Sequence, residues 1–181
     1  MKKIAITILA LSITVTVLFI IRCNEPEGPS GGPTAASLLP EENEVTGWVF
    51  DTDSLCYEGL VDDNQGLNAI IDGGDVEYIK RGFVAGAFKG YSDGNRPICL
   101  QIYDQGCRDS AISVYQAMRT GTYETLPSLG DSARIDTSLV YDYEINMVAD
   151  KFFVRLTADK TEEYKQAAIS IAQAIAGKTG K

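Results

Sequence analysis

The stretch Phe83–Tyr103, FVAGAFKGYSDGNRPICLQIY, decides the fold class of this chain. Apolar and small residues alternate in its first half, and isoleucine and leucine alternate with other residues in its second half. The turn-forming segment Ser92–Asn95 separates the two halves. This pattern predicts a β-hairpin whose second strand directs Cys99, Gln101 and Tyr103 away from its isoleucine side.

Helices are predicted on both sides of this hairpin. The first covers 67–81 and contains Gly73 and Gly74. Because each glycine costs about 1 kcal/mol relative to alanine inside a helix, the pair implies a close approach to the sheet. The next helix follows Cys107 as its N-cap and ends at Gly121.

A further helix is predicted near the carboxyl end of the chain. Asp159 and Glu162 form a capping box, and Gly177 ends the helix. Between them an apolar stripe repeats at helical spacing, formed by Tyr164, Ala167, Ala168, Ile171, Ala174 and Ile175.

Three more segments complete the predicted order of elements. A short strand covers 45–50, a second hairpin covers 137–148 and 151–158, and 122–136 is predicted as a loop. Hairpins interleaved with helices favour an antiparallel sheet over a doubly wound parallel one. We therefore expect a single α+β domain, a mainly antiparallel sheet with helices packed on it.

The amino-terminal segment 1–22 predicts export. Two lysines precede an uncharged run, Ile4–Ile21, which is typical of a signal peptide and just long enough for a membrane anchor. Cys23 directly after it is a candidate lipidation site, as in bacterial lipoproteins, although Ile21 and Arg22 replace the usual small residues. Lipoprotein, uncleaved anchor and cleaved secretion are the three alternatives, and all place the domain outside the cytoplasm, in a periplasm or at a cell surface.

A flexible tether, 23–37, separates this segment from the domain at 38–181. The tether is rich in Gly, Pro, Ser, Thr and Glu, a composition that does not bury enough apolar surface to fold. Its predicted role is to hold the domain away from the membrane. Two kinds of partner are expected: the membrane itself, through the amino-terminal segment, and an unknown envelope protein or small ligand.

The composition limits the chemistry of the domain. The chain has no histidine, which excludes His-dependent nucleophilic triads and His-ligated metals. The formal net charge is −9, and −12 after the three cations Lys2, Lys3 and Arg22 are set aside, so nucleic acid is not an expected partner. The acidic stretch 51–66 does not fit the spacing of a calcium loop, and no metal or cofactor is predicted.

The cysteines predict at most one disulfide if Cys23 is lipidated. Cys99 lies in mid-strand and Cys107 starts a helix, so these two are expected to be too far apart to bond. A Cys56–Cys107 bond is the prediction, and three reduced thiols are the alternative.

Two function classes remain open. The first is a non-enzymatic, envelope-tethered module that binds a partner or small ligand or serves a structural role. Its ligand contacts would come from Trp48, Tyr141 or Tyr143, residues that serve equally well in packing. The second is a glycan hydrolase using a pair of carboxylates drawn from Asp62, Asp142 and Glu144.

Several short motifs lie between about 38 and 158. Their residues are Leu39, Pro40, Trp48, Ile71, Gly73, Gly74, Tyr78, Gly82, Phe83, Tyr103, Asp104, Gly106, Phe153, Val154 and Arg155. Together they resemble an uncharacterised family of exported bacterial proteins, a domain of unknown function with a Gly-Gly helix and a Tyr-Asp-x-Gly turn. The resemblance implies export and an α+β fold, with no reaction or cofactor. Asp72, Asp75 and Val76 depart from its pattern.

Overall fold

A computed structural model of the chain describes residues 31–52, 55–71, 73–119 and 121–180. The predicted signal or anchor segment, Cys23 and the first part of the tether lie outside the described residues. Within the described part, every helix is too short or too polar to traverse a lipid bilayer.

The described residues form an eight-stranded antiparallel sheet, which confirms the α+β fold class. The strands are β1 Val49–Phe50, β2 Gly59–Val61, β3 Ala85–Ser92, β4 Pro97–Asp104, β5 Tyr123–Thr125, β6 Ser132–Asp136, β7 Asp142–Ala149 and β8 Phe152–Asp159. Their order in the sheet is β1-β3-β4-β8-β7-β6-β5, and β2 pairs with β3 beside β1. The hairpin predicted over Phe83–Tyr103 forms β3 and β4.

The helices lie on the two faces of the sheet. A 3-10 turn at Ala36–Leu38 precedes α1 Asn64–Ile71, α2 Val76–Ile79, α3 Arg108–Ala117 and α4 Glu162–Lys178. The α4 stripe packs on a mainly aliphatic core. On the other face, α1, α2 and α3 cover a smaller cluster rich in aromatic rings. Ala35, inside the predicted tether, is already part of the larger core.

The structure corrects two helix predictions. The glycine pair does not lie inside a helix over 67–81 but separates α1 from α2, and Gly73 has a φ of +82° that suits glycine. The cap of α4 is Thr161, whose hydroxyl accepts a hydrogen bond from the Tyr164 amide, rather than Asp159.

Three strand predictions also need correction. The strand predicted over 45–50 shortens to β1, and β2 lies within the stretch expected to be an acidic loop. The segment 122–136 is not a loop, since its ends form β5 and β6. The hairpin expected over 137–158 is confirmed as β7 and β8.

The predicted Cys56–Cys107 bond is wrong, because Cys56 bonds Cys99 with an S–S distance of 2.01 Å. β2 lies beside β3, which brings Cys56 across β3 to Cys99 on β4. Gly90 lies opposite Cys99 and leaves the space, since a Cβ there would come within 3.3 Å of the Cys56 Sγ.

Candidate functional site

A row of polar side chains crosses the sheet on the face covered by α1, α2 and α3. Gln101 of β4 pairs with Arg155 of β8, Arg155 with Asn146 of β7, and Asn146 with Arg134 of β6. Because directly paired residues on one face of a sheet lie about 5 Å apart, the four side chains form one continuous row. Such a row is unusual beside an aromatic core, since buried polar groups cost free energy unless they are paired.

Glu144, two residues before Asn146 on β7, accepts hydrogen bonds from the two central members of this row, Arg155 and Asn146. The Arg155 Nη2 donates to one of its carboxylate oxygens at 2.5 Å, and the Asn146 Nδ2 donates to the other at 2.9 Å. Burial alone would lower the pKa of Arg155, but the charge of Glu144 and its hydrogen bond offset this, so the pKa lies above its ordinary value. Arg155 is therefore a permanent cation in the site.

Arg134 and Arg155 differ in what remains of their hydrogen-bonding capacity. Arg134 is buried, stacks over the Tyr115 ring at 3.9 Å and donates to the Tyr115 carbonyl at 2.6 Å, which fixes it to α3. The Arg155 side chain stays 37% exposed while its Nε is buried. The Arg155 side chain therefore remains partly accessible beyond its ion pair with Glu144.

Two stacked tyrosines flank Arg155. The rings of Tyr78 on α2 and Tyr103 on β4 lie parallel, with centroids 3.9 Å apart. The Tyr103 hydroxyl donates to the Gln101 Oε1 at 2.8 Å, so the Gln101 amide nitrogen is directed elsewhere. Burial raises the pKa of both tyrosines, and both hydroxyls are neutral at ordinary pH.

A pocket of about 520 Å³ opens where these groups meet. Arg155, Gln101, Tyr78 and Tyr103 line it on the side of the sheet. Gly73 and Gly74, in the break between α1 and α2, line it as well and leave space there because they have no Cβ. The glycine pair thus opens a pocket, where the sequence predicted a close helix–sheet contact.

The rim of the pocket is mainly apolar. Tyr57 is 47% exposed and follows Cys56, so the disulfide to Cys99 holds it beside β4. Val76 and Met118 lie at the rim as well. Glu77 is the one carboxylate in the pocket lining, and it forms ion pairs with Lys80 and Arg81.

A second pocket, of about 540 Å³, lies along β3 between β1 and β2. Leu39, Phe50 and Leu60 give it apolar walls. Its cation, Lys89, pairs with Glu58 at 3.3 Å and lies 4.7 Å from the centre of the Phe50 ring. Its polar groups therefore satisfy each other, and the pocket at Arg155 is the better candidate for specific binding.

The aromatic residues predicted as ligand contacts lie outside the Arg155 pocket. Trp48 is only 7% exposed and packs edge-on against Tyr164, as a core residue. Tyr141 is 81% exposed and precedes β7. Tyr143 is half-buried against the larger core, with the Lys160 and Lys165 ammonium groups near its ring.

The predicted carboxylates do not converge on a groove. Asp62 is exposed after β2, and four strand spacings, roughly 19 Å, separate β2 from β7, which carries Asp142 and Glu144. Both oxygens of Glu144 accept hydrogen bonds from Arg155 and Asn146. The described part of the chain also has no group of three or more side chains placed to hold a metal ion.

The sequence did not identify Gln101 and Tyr57 as site residues, and Tyr78 and Arg155 were named only as part of a motif. One signal was present, because Arg155 interrupts the apolar run Phe152–Leu156 at a position where a strand packs. Nothing matches this chain in comparisons with protein-family models, curated proteins and solved structures.

Proposed function

We propose that this protein is an exported, membrane-tethered domain that binds a small ligand without transforming it. The observation that carries the proposal is the convergence of Arg155, Gln101 and Tyr103 on one pocket with an apolar rim. Ligand sites are typically apolar concavities with a few polar groups that orient the ligand.

The non-enzymatic part of the proposal rests on how these polar groups are used. Glu144 accepts two hydrogen bonds, Glu77 is paired with two cations, and burial raises the pKa of the two tyrosines. General acid–base catalysis needs a group that exchanges a proton near neutral pH. The groups of this pocket are suited to orienting a ligand.

Ligand binding is tested by recording amide NMR spectra of the protein with a library of small aromatic and aliphatic fragments. We expect shifts to concentrate at Tyr57, Val76 and Gln101. Gly74→Leu should abolish them, because this position lines the pocket and its Cβ would make only ordinary contacts with Ile71. Gly177→Leu, at an open position on α4, is the matched control. Fragment shifts that survive Gly74→Leu would contradict the proposed pocket.

Export is supported by the Cys56–Cys99 disulfide, since such bonds persist mainly in oxidising compartments. Expression of the full chain in bacteria, cell fractionation and mass spectrometry of the amino terminus test it. An intact Met1 in the membrane fraction identifies an uncleaved anchor, and a lipid mass on Cys23 identifies a lipoprotein. A cytoplasmic, soluble chain would overturn the tether.

A further inference from the structure

We infer that the ligand of the Arg155 pocket is a monocarboxylate with an apolar body. This inference rests on the proposed function and specifies the chemical class of its ligand. It follows from the donors that reach the pocket, the surface opposite them and the charge of the domain.

The donors come from directly paired residues. Arg155 and Gln101 are neighbours across β8 and β4, and both line the pocket. The Gln101 oxygen is occupied by the Tyr103 hydroxyl, which leaves its amide nitrogen as a donor beside the guanidinium. Two adjacent donors, one of them charged, suit the two oxygens of a carboxylate.

The apolar body is inferred from the rim. Tyr57 and Val76 are exposed apolar side chains at the pocket, and Met118 offers a flexible thioether surface next to them. A ring or short alkyl chain attached to the carboxylate would cover these groups, in a volume of about 520 Å³ that accommodates a small molecule.

The single charge of the ligand is inferred from electrostatics. Arg155 is the one cation in the pocket lining, and Glu144 already neutralises part of its charge. The chain after Arg22 carries a net charge of −12, which repels multiply charged anions at long range. Phosphate esters usually need several cations or a cradle of backbone amides, so they fit this pocket less well.

The test compares three probes of similar shape by titration calorimetry on the protein: 2-naphthylacetate, its neutral amide and 2-naphthyl phosphate. We expect the carboxylate to bind at least about tenfold more tightly than the amide, the size of one charge-assisted hydrogen bond. The phosphate should bind more weakly than the carboxylate. Equal or tighter binding of the amide or the phosphate overturns the carboxylate class while leaving a ligand pocket in place.

Gln101→Glu gives a second, independent readout. The new side chain has the same shape and still accepts the Tyr103 hydroxyl, but it replaces the amide donor with a negative charge. We expect it to weaken carboxylate binding at least about tenfold and to weaken binding of the uncharged amide much less, while Gln166→Glu on α4 changes neither. Carboxylate binding that is insensitive to Gln101→Glu overturns the inference. The inference is also overturned if the protein does not bind the carboxylate while library fragments still shift the amide signals of the pocket. If no fragment binds the pocket at all, the proposed function itself is overturned.

Discussion

Two rows of side chains run across the same four strands, one on each face of the sheet, and each residue of one row is adjacent in sequence to a residue of the other. Leu100, Leu156, Ile145 and Ile135 pair across β4, β8, β7 and β6 on the face covered by α4. The adjacent residues Gln101, Arg155, Asn146 and Arg134 pair across the same strands on the opposite face. Because successive side chains of a strand point to opposite faces, the same backbone supports an aliphatic row and a polar row.

Within one sheet, the aliphatic row contributes to stability, and the polar row lies on the face of the proposed binding site. All four members of the aliphatic row are fully or almost fully buried, and they pack in the larger core. The polar row fills equivalent positions with groups that need partners, and the Nε of Arg155 and the Oδ1 of Asn146 are buried without a hydrogen-bond partner among the described residues. A sheet face that accepts this cost is the face where we place the ligand.

The largest expected effect on stability comes from removing the Cys56–Cys99 disulfide, which lies on the polar face of the sheet. Replacing both Cys56 and Cys99 with alanine should lower the free energy of unfolding by about 4 kcal/mol, because the bond closes a loop with a sequence separation of 43 residues. It should also weaken ligand binding, since Tyr57 is then free to leave the rim. Urea denaturation measures the first effect and calorimetry the second. If the double variant has the same urea midpoint as the unchanged protein, the disulfide does not stabilise the fold by restricting the unfolded chain.

The next effect lies on the aliphatic row. Leu156→Ala removes a fully buried side chain and should lower the free energy of unfolding by about 3 kcal/mol. Leu139→Ala, at a partly exposed position outside the strands, should change it by less than about 0.5 kcal/mol. Both are measured by urea denaturation, and a Leu156 variant that instead weakens ligand binding without loss of stability would break the division between the faces.

The smallest of the three effects concerns Glu144. Glu144→Gln keeps the shape but removes the charge that Arg155 contacts, and should lower the free energy of unfolding by about 1–2 kcal/mol, reduced because Arg155 is 37% exposed. The same change should strengthen binding of the carboxylate probe, because Arg155 loses its competing anion. Glu124→Gln on β5 is the exposed control, and weaker binding in the Glu144 variant would contradict the role given to Arg155.

Local patterns were enough to predict much of the fold. The alternation in Phe83–Tyr103 gave β3 and β4, and the apolar stripe gave α4. β5 and β6 were missed because Pro127 and Gly130 between them have the composition of a loop, and those strands form only by pairing with each other and with β7.

The site was harder to predict because it depends on pairing between distant segments. Gln101 and Arg155 become neighbours only when β8 pairs with β4, and periodicity does not specify which strands pair. Tyr57 reaches the rim only because Cys56 bonds Cys99 across β3. The glycine pair was visible in the sequence, but whether it brings a helix close to the sheet or opens a pocket depends on α2.

Gly90 lies in close contact with Asp51 and Cys56, so the three positions should constrain one another during evolution. A Cβ at Gly90 would lie 2.9 Å from the Asp51 Cβ and 3.3 Å from the Cys56 Sγ, so a larger residue fits only after those neighbours have changed. Loss of the bond would relieve the contact with the Cys56 Sγ but not the closer contact with Asp51. Related sequences that keep the bond should therefore keep Gly90, and a larger residue at this position should occur only where both Asp51 and Cys56 have also changed.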